Sequence, residues 1–313
     1  MAKILVTGGA GFIGSHVGDH YIEAGHDVVA LDNLATGDRR NVNPKARFVE
    51  MDICDSGMAA FFAAEGFDYV NHLAAQIDVR KSVTDPQFDA TVNILGTINL
   101  LEAARQHGVQ KFLFASTGGA IYGEPEELPA SEQCRPNPKC HYAASKLAAE
   151  YYIQLYRNLY DLSYTILRFP NVYGPRQNPE GEAGVCSILS RLMLEGQQPT
   201  LYGHGEPLRD YVFVGDIARG CTLALEQGEN RILNLGSGQG ASVQQVYDIL
   251  KAAIGYTGDA ALAPLRAGEI QNSYITGDQA KEVLGWQPEV TLENGLQQTA
   301  EFIREQWLAG EKI

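Results

Sequence analysis

Ile4-Leu5-Val6-Thr7-Gly8-Gly9-Ala10-Gly11-Phe12-Ile13-Gly14 is an apolar strand run that empties into glycine and then into a helical pattern starting at Phe12. Gly8, Gly11 and Gly14 are spaced G-x-x-G-x-x-G, and Gly9, Gly11 and Gly14 satisfy G-x-G-x-x-G as well. Glycines at these places permit a tight turn, clear side chains from the path of a pyrophosphate, and let helix and strand pack closely. The helix start then offers unpaired N–H groups and the positive end of its dipole to phosphate. Glycine spacing alone is a weak sign, because any tight strand–helix turn uses it. The next strand pattern strengthens it by ending at Asp32, about twenty residues on, where a carboxylate can accept from an adenosine ribose hydroxyl. A 2′-phosphate would meet like charge there, so the stretch predicts NAD in preference to NADP. Asp52-Ile53 follows the third strand pattern within reach of an adenine, although an ordinary loop Asp reads much the same way.

Outward from this turn, strand patterns at Lys3–Val6, Val28–Leu31, Arg47–Glu50, Tyr69–His72, Lys111–Ala115 and Tyr164–Arg168 alternate with helical ones. The helical patterns are Phe12–Ala24, Gly57–Ala64, Phe88–His107 and His141–Leu159. This alternation predicts right-handed crossovers and a parallel sheet covered on both faces, hence a Rossmann-type doubly wound α/β fold. After Phe169, punctuation by Pro170, Gly174-Pro175, Pro179 and Gly184 divides the chain. Residues 1–169 are expected to form the dinucleotide-binding domain, and 170–313 a smaller C-terminal α/β substrate-binding region. Val185–Glu195 and Ser242–Ile254 read as helices there. The run Ile232–Leu235 is placed to rejoin the first sheet, so the segment of about 205–240 is expected to return to it.

With 313 residues and 45% apolar side chains, the chain can bury a sizeable core. Its 24 basic and 38 acidic residues leave a net charge of −14. So acidic a surface repels phosphate backbones and anionic bilayers, which argues against nucleic-acid or membrane partners; an anionic ligand would need arginines of its own. No apolar run is long enough to span a bilayer, and Met1-Ala2-Lys3 leads into the first strand without a signal-peptide pattern. The cysteines at 54, 134, 140, 186 and 221 show no tight metal-ligand spacing, and reduced thiols in the cytoplasm suit them better than a Cys134–Cys140 disulfide. His16 and His20 share a helix face but lack further ligands in a recognisable pattern, so no metal is expected.

Tyr142-Ala143-Ala144-Ser145-Lys146 opens a helical stretch, and four residues put Tyr142 and Lys146 on one face. A free tyrosine, with a pKa near about 10, is a poor base at neutral pH. A neighbouring ammonium and a positive nicotinamide would favour phenolate and pull that value down. The fifth strand pattern ends in Ser116-Thr117-Gly118-Gly119, placing hydroxyls beyond the carboxyl end of the sheet, where ligands of such folds bind. Hydroxyls beside a Tyr/Lys pair and a nicotinamide suit carbinol–carbonyl hydride chemistry. Each feature alone has an ordinary reading: an amphipathic helix, a Ser/Thr turn.

Gly8–Gly14, Asp32, Asp52-Ile53, His72-Leu73-Ala74-Ala75, Asn93, Ser116–Gly123, Tyr142–Lys146, Arg168–Arg176 and Arg209–Val212 run in that order over nearly the whole chain. The combination resembles the extended short-chain dehydrogenase/reductase family, especially its nucleotide-sugar epimerases. The resemblance implies that Tyr142 is the base and Lys146 its electrostatic support and nicotinamide-ribose ligand. It makes Gly8, Gly11, Phe12, Ile13 and Gly14 cofactor-binding, with Asp32, Asn33, Asp52 and Ile53. Leu73, Ala74 and Ala75 lie against the cofactor by the same resemblance, with Asn93 and Ser116 beside it. Asn171, Arg209 and Arg266 would hold the sugar diphosphate, and Leu201 and Tyr202 would line the uracil site. The implied activity is reversible inversion at C4 of a UDP-hexose through a transient 4-keto sugar, with NAD regenerated, and the implied assembly is a homodimer.

One departure stands out. Many 4-epimerases carry Ser or Thr at the position occupied here by Gly118, so Thr117 is expected to take over the hydrogen bond to the reacting oxygen, with Ser116 or water as the other candidates. Ser273, seven residues after Arg266, falls where relatives carry a residue beside the sugar's C2 substituent, and its small size predicts that N-acetylated UDP-hexosamines are also accepted. A one-residue slip would put Tyr274 there instead. A UDP-glucuronate epimerase remains open as another reading, as does a non-catalytic NAD-binding sensor. A 4,6-dehydratase or decarboxylase fits less well, because Gly118 and Gly119 stand where those chemistries need an acid/base group.

Overall fold

The computed structural model describes residues 1–179, 184–266 and 269–309. Seven strands form one parallel sheet: β1 (Lys3–Thr7), β2 (Asp27–Asp32), β3 (Arg47–Glu50), β4 (Tyr69–His72), β5 (Lys111–Thr117), β6 (Ser163–Phe169) and β7 (Arg231–Asn234). Their order is β7-β6-β5-β4-β1-β2-β3, so the winding reverses at β1 and β4, the place where such sheets bind ligands. Leu5 lies opposite Val29 of β2 and Val70 of β4.

The strands read as unbroken apolar runs because both faces are covered. On one side Leu5, Val29, Val70, Phe112 and Ile166 pack with Met58, Phe62, Leu100 and Ile153. On the other, Ile4, Val6, Val28, Leu113 and Leu167 pack with Val17, Tyr21, Ile217 and Trp286. Successive residues of one strand thus feed two cores, as the two-residue period of a strand requires. A third core, around Tyr173, Leu189, Leu201, Val246 and Leu296, belongs to the C-terminal region.

The sheet lies where the strand patterns place it, and β7 pairs with β6, so the segment near Ile232–Leu235 does return to it. The Val214–Glu226 helix comes back as well and packs on Phe12–Glu23. Phe88–His107 is not one regular helix. It divides into Pro86–Ala90, a π-helical turn at Thr91–Leu95 and Gly96–Gln106. The π turn carries Asn93, whose amide makes bonds outside the helix, and apolar periodicity contains no sign of such an extra residue. Gly57 is a cap rather than a helical residue, and Leu292–Leu308 forms a further helix against the C-terminal core.

Candidate active site

The glycine turn is fixed by close approach. A Cβ on Gly8, whose φ is +70°, would lie 2.8 Å from Ala74 N, and one on Gly14 would collide with Gly8 O. Gly11 N–H donates to Gly8 O at 3.0 Å, and the helix then begins at Phe12 with no side chain capping it. Its first-turn N–H groups, those of Phe12, Ile13 and Gly14, have no carbonyl within the helix, which suits a phosphate. The loop after β4 closes the cradle: Leu73 N–H donates to Thr7 O and Ala74 N–H to Thr7 Oγ1, each at 3.2 Å. Ala75 follows, half-buried.

Asp32, buried at the end of β2, accepts from Ala10 N–H at 3.1 Å and from Leu34 N–H at 2.8 Å. Its carboxylate therefore borders the glycine loop. Asn33 Nδ2 donates to Asp52 at 2.8 Å, and Cys54 N–H donates to the same carboxylate at 2.8 Å. Burial works against the charge on Asp52, but these bonds outweigh it and keep the carboxyl below its ordinary value. Ile53 is different: its side chain is buried in the core against Gly96, leaving only its backbone toward the loop. The residues present thus make a dinucleotide cradle with an acidic rim.

Thr117 ends β5, and Tyr142 and Lys146 stand beside that strand on the His141–Tyr160 helix. The Thr117 side chain acts on the Tyr142 phenol in the sense that favours the phenolate, yet burial prevails and pushes Tyr142 up to about 12. The downward shift predicted for this tyrosine is therefore not a property of the protein alone. Lys146 is buried, with Nζ 4.1 Å from the centre of the Phe114 ring. Burial lowers it to about 7, while Glu150 and Asp89 oppose the fall. Asn93 accepts from Gln76 N–H at 2.9 Å and donates to Gln76 O and Ser145 Oγ, joining the loop after β4 to the Tyr142 helix.

Ser116 faces elsewhere than the cofactor position the resemblance gives it. Its hydroxyl donates to Glu150 Oε1 at 2.6 Å, and Glu150 forms a buried bidentate pair with Arg168. Arg168 donates to Tyr122 OH, which donates to Asn234 Oδ1, both at 2.8 Å. The Ser116 side chain is thus spent on a network beneath the site. His72 is the structural imidazole its strand-end position suggests: its nitrogens lie 2.8 Å from Thr7 Oγ1 and 3.0 Å from Thr97 Oγ1, and burial drives its pKa well down.

The C-terminal region brings a second set of residues to the same end of the sheet. Asn171 is exposed, its N–H bonded to Asp210 O, and its Oδ1 lies near Gly119. Ser273 Oγ donates to Gly119 O at 3.0 Å, while Tyr274 lies against Gly240, so Ser273 and not its neighbour faces the strand-end loop. The Arg266 guanidinium stacks 3.7 Å from the centre of the Tyr202 ring and pairs with Glu269 at 3.7 Å. Arg209 donates to the carbonyls of Leu208, Ile270 and Gln271, and burial lowers its pKa. Leu201 is a core residue, leaving its backbone for any ligand. Among groups the sequence reading passed over, Gln76, Asp89, Glu150 and Ile275 all border the site. Asp89 and Glu150 could have been noticed at four-residue spacing from Asn93 and Lys146.

Residues 4–236 match the model of the NAD dependent epimerase/dehydratase family. The chain belongs to that family. A putative UDP-glucose 4-epimerase of Methanocaldococcus jannaschii is 47% identical over 301 residues, covering 96% of this chain and 98% of that one. The crystal structure of a UDP-glucose 4-epimerase from Thermotoga maritima with UDP-glucose superposes with a TM-score of 0.95 at 46% identity, covering 97% of this chain and 99% of that one. A Thermus thermophilus UDP-glucose 4-epimerase in complex with NAD gives 0.92 at 44% identity, covering 96% and 99%. The glycine cradle, Asp32, Thr117, Tyr142 and Lys146 all fall inside the epimerase/dehydratase family match, whereas Arg266 and Ser273 lie beyond it.

Proposed function

We propose that this protein catalyses the reversible C4 epimerisation of UDP-hexoses, interconverting UDP-glucose and UDP-galactose with bound NAD. The observation that carries this reading is Tyr142 one helical turn from buried Lys146, with the Thr117 side chain acting on its phenol at the end of β5, in a chain similar over nearly its whole length to UDP-glucose 4-epimerases. NAD supplies the reversible hydride acceptor and a positive ring. The glycine turn and the Phe12–Glu23 helix start would hold its pyrophosphate, Asp32 and Asn33 its adenosine side, and Leu73–Ala75 its middle. Tyr142 takes the proton of the C4 hydroxyl and later returns it to the same oxygen on the other face of the sugar. Thr117 holds that oxygen, and the Lys146 ammonium lowers the cost of the phenolate. Asn171, Arg209 and Arg266 retain the diphosphate while the 4-keto sugar turns over, and Tyr202 lines the base. A panel of UDP-, dTDP- and GDP-sugars, analysed for epimeric products, tests the nucleotide and the sugar together.

The small Ser273 beside Gly119 supports acceptance of N-acetylated UDP-hexosamines as well. Residues 170–313 are read as mainly nucleotide-sugar-binding. Tyr151, Leu155 and Leu159 are exposed at one-turn spacing on the His141–Tyr160 helix, and Val83, Phe88 and Leu95 are exposed on the neighbouring segment, which supports a homodimer through this face. Among the described residues no helix is long and apolar enough to cross a membrane. Five free thiols support a reducing, cytoplasmic setting.

A further inference from the structure

Two buried carboxylates flank buried Lys146, one on its own helix and one on the helix packed against it, and they are held in different ways. Glu150, one turn along the same helix, is already neutralised: Arg168 Nε and Nη2 donate to its two oxygens at 2.9 and 2.6 Å. Asp89 takes its hydrogen bonds from neutral amides, Gln76 Nε2 at 3.0 Å and Asn93 Nδ2 at 3.1 Å. It is 1% exposed, on the Pro86–Ala90 helix that packs against His141–Tyr160. Asn93 also donates to Ser145 Oγ at 3.1 Å, and that hydroxyl donates to Tyr142 O at 2.9 Å. A chain of hydrogen bonds therefore ties Asp89 to the helical turn that bears both Tyr142 and Lys146. Amides orient a buried carboxylate but leave its charge unbalanced, and leaving a buried charge uncompensated is costly.

We propose that Asp89 is the counter-charge of Lys146, a positioning residue that holds the ammonium beside Tyr142 from the neighbouring helix. Glu150 is paired with Arg168, whereas the side-chain hydrogen bonds to Asp89 come from neutral amides, so Asp89 adds a negative charge beside the acid–base pair that, among the described residues, no cation at hydrogen-bond distance offsets. Other titratable and charged groups around them are Cys140 at the cap of the Tyr142 helix and His72 at the end of β4. The Val79–Thr84 helix, packed on the other side, contributes Arg80 and Lys81, both exposed, with Lys81 4.1 Å from the centre of the Phe88 ring. Asp89 raises the proton affinity of both Lys146 and Tyr142. Asp89→Asn keeps the shape and removes the charge, so both groups release protons more readily.

The proposal rests on the roles given above to Tyr142 and Lys146, so one arm of its test needs no turnover. Thermal unfolding of the wild type, Asp89→Asn, Lys146→Met and the double variant forms a cycle. Lys146→Met strands Asp89 without its partner and lowers Tm; adding Asp89→Asn to it is expected to raise Tm again. Should Asp89→Asn alone not fold, the comparison of Lys146→Met with the double variant still decides. In the second arm, both limbs of the pH–rate profile of Asp89→Asn on UDP-galactose should move to lower pH by about half a unit or more, the scale of one partly screened charge. Additive losses of Tm, or an unmoved pH profile in an active variant, would overturn the pairing. Coupling in the cycle without any turnover would instead support the pairing and overturn the activity proposed for the site.

Discussion

Ile275 Cδ1 occupies the space that a Cβ on Gly118 would need. Ile275 is buried with Ile121, Tyr122 and Ala130, and its N–H donates to Asp210, so it is held from both its side chain and its backbone. A hydroxyl side chain at 118 therefore needs the end of Ile275 to move, whereas Thr117 already stands where it acts on Tyr142. Gly118→Ser should cost about 1–3 kcal/mol in stability through overpacking, and Ile275→Ala in the same chain should relieve part of that strain. Thr117→Ala should slow turnover and Thr117→Ser retain much of it. A Gly118→Ser protein as stable as the wild type, measured by thermal unfolding, would show that Ile275 yields freely.

Asp32 both borders the cofactor cradle and accepts from Ala10 and Leu34 N–H. Asp32→Ala should weaken NAD binding and narrow the discrimination against NADP, since the charge facing a 2′-phosphate is gone. Titration of protein stripped of cofactor with both dinucleotides measures this. An unchanged preference would remove Asp32 from cofactor selection.

Ser273 donates to Gly119 O beside the strand end that carries Thr117. Enlarging it should crowd a C2 N-acetyl group before it crowds a hydroxyl. Ser273→Tyr is expected to suppress turnover of UDP-N-acetylglucosamine and UDP-N-acetylgalactosamine while sparing UDP-galactose. Equal losses on all of these sugars would mean that the residue supports the loop and does not select the substrate.

His16 supplies a pH-dependent term to stability. Its Nε2 lies 3.0 Å from Pro175 O, joining the Phe12–Glu23 helix to the segment after β6, and burial lowers its pKa from 6.5 to about 4. Between those two values the unfolded chain binds a proton that the folded one refuses, so stability falls as pH drops through this window and levels off below it. His16→Gln keeps an amide donor without titrating. Its Tm should depend less on pH between 6.5 and 4 than that of the wild type, and parallel curves for the two proteins would contradict this.

Local pattern carried most of the fold and the polar centre of the site. Ile4–Val6 and Val28–Leu31 are apolar on both faces, and Tyr142 and Lys146 sit one turn apart, so neither needed tertiary knowledge. The missing parts depend on what meets across the fold. Nothing in Phe88–His107 announces the π turn that aims Asn93 at Gln76, and nothing near Ser116 reveals that Glu150, on another element, takes its hydroxyl. Ile275 is more than a hundred residues from Gly118 and is brought to it where the strand at Asn272–Ser273 pairs with Leu208–Arg209 and Ile275 itself bridges Ala130. Burial is the effect least visible in the sequence: it sends Tyr142 upward, against the downward pull expected of a neighbouring ammonium and a positive nicotinamide.

The most direct test is to incubate the purified protein with NAD and either UDP-galactose or UDP-glucose, and to follow both sugars by proton NMR beside a Tyr142→Phe control. Both starting points should converge on one mixture of the two sugars with no net reduction of NAD. Tyr142→Phe should lose at least about 100-fold in rate, the lower scale for a positioned general base, while still binding NAD. If neither sugar converts into the other, the proposed activity is wrong; if Tyr142→Phe converts them at the wild-type rate, the proton passes through some other group.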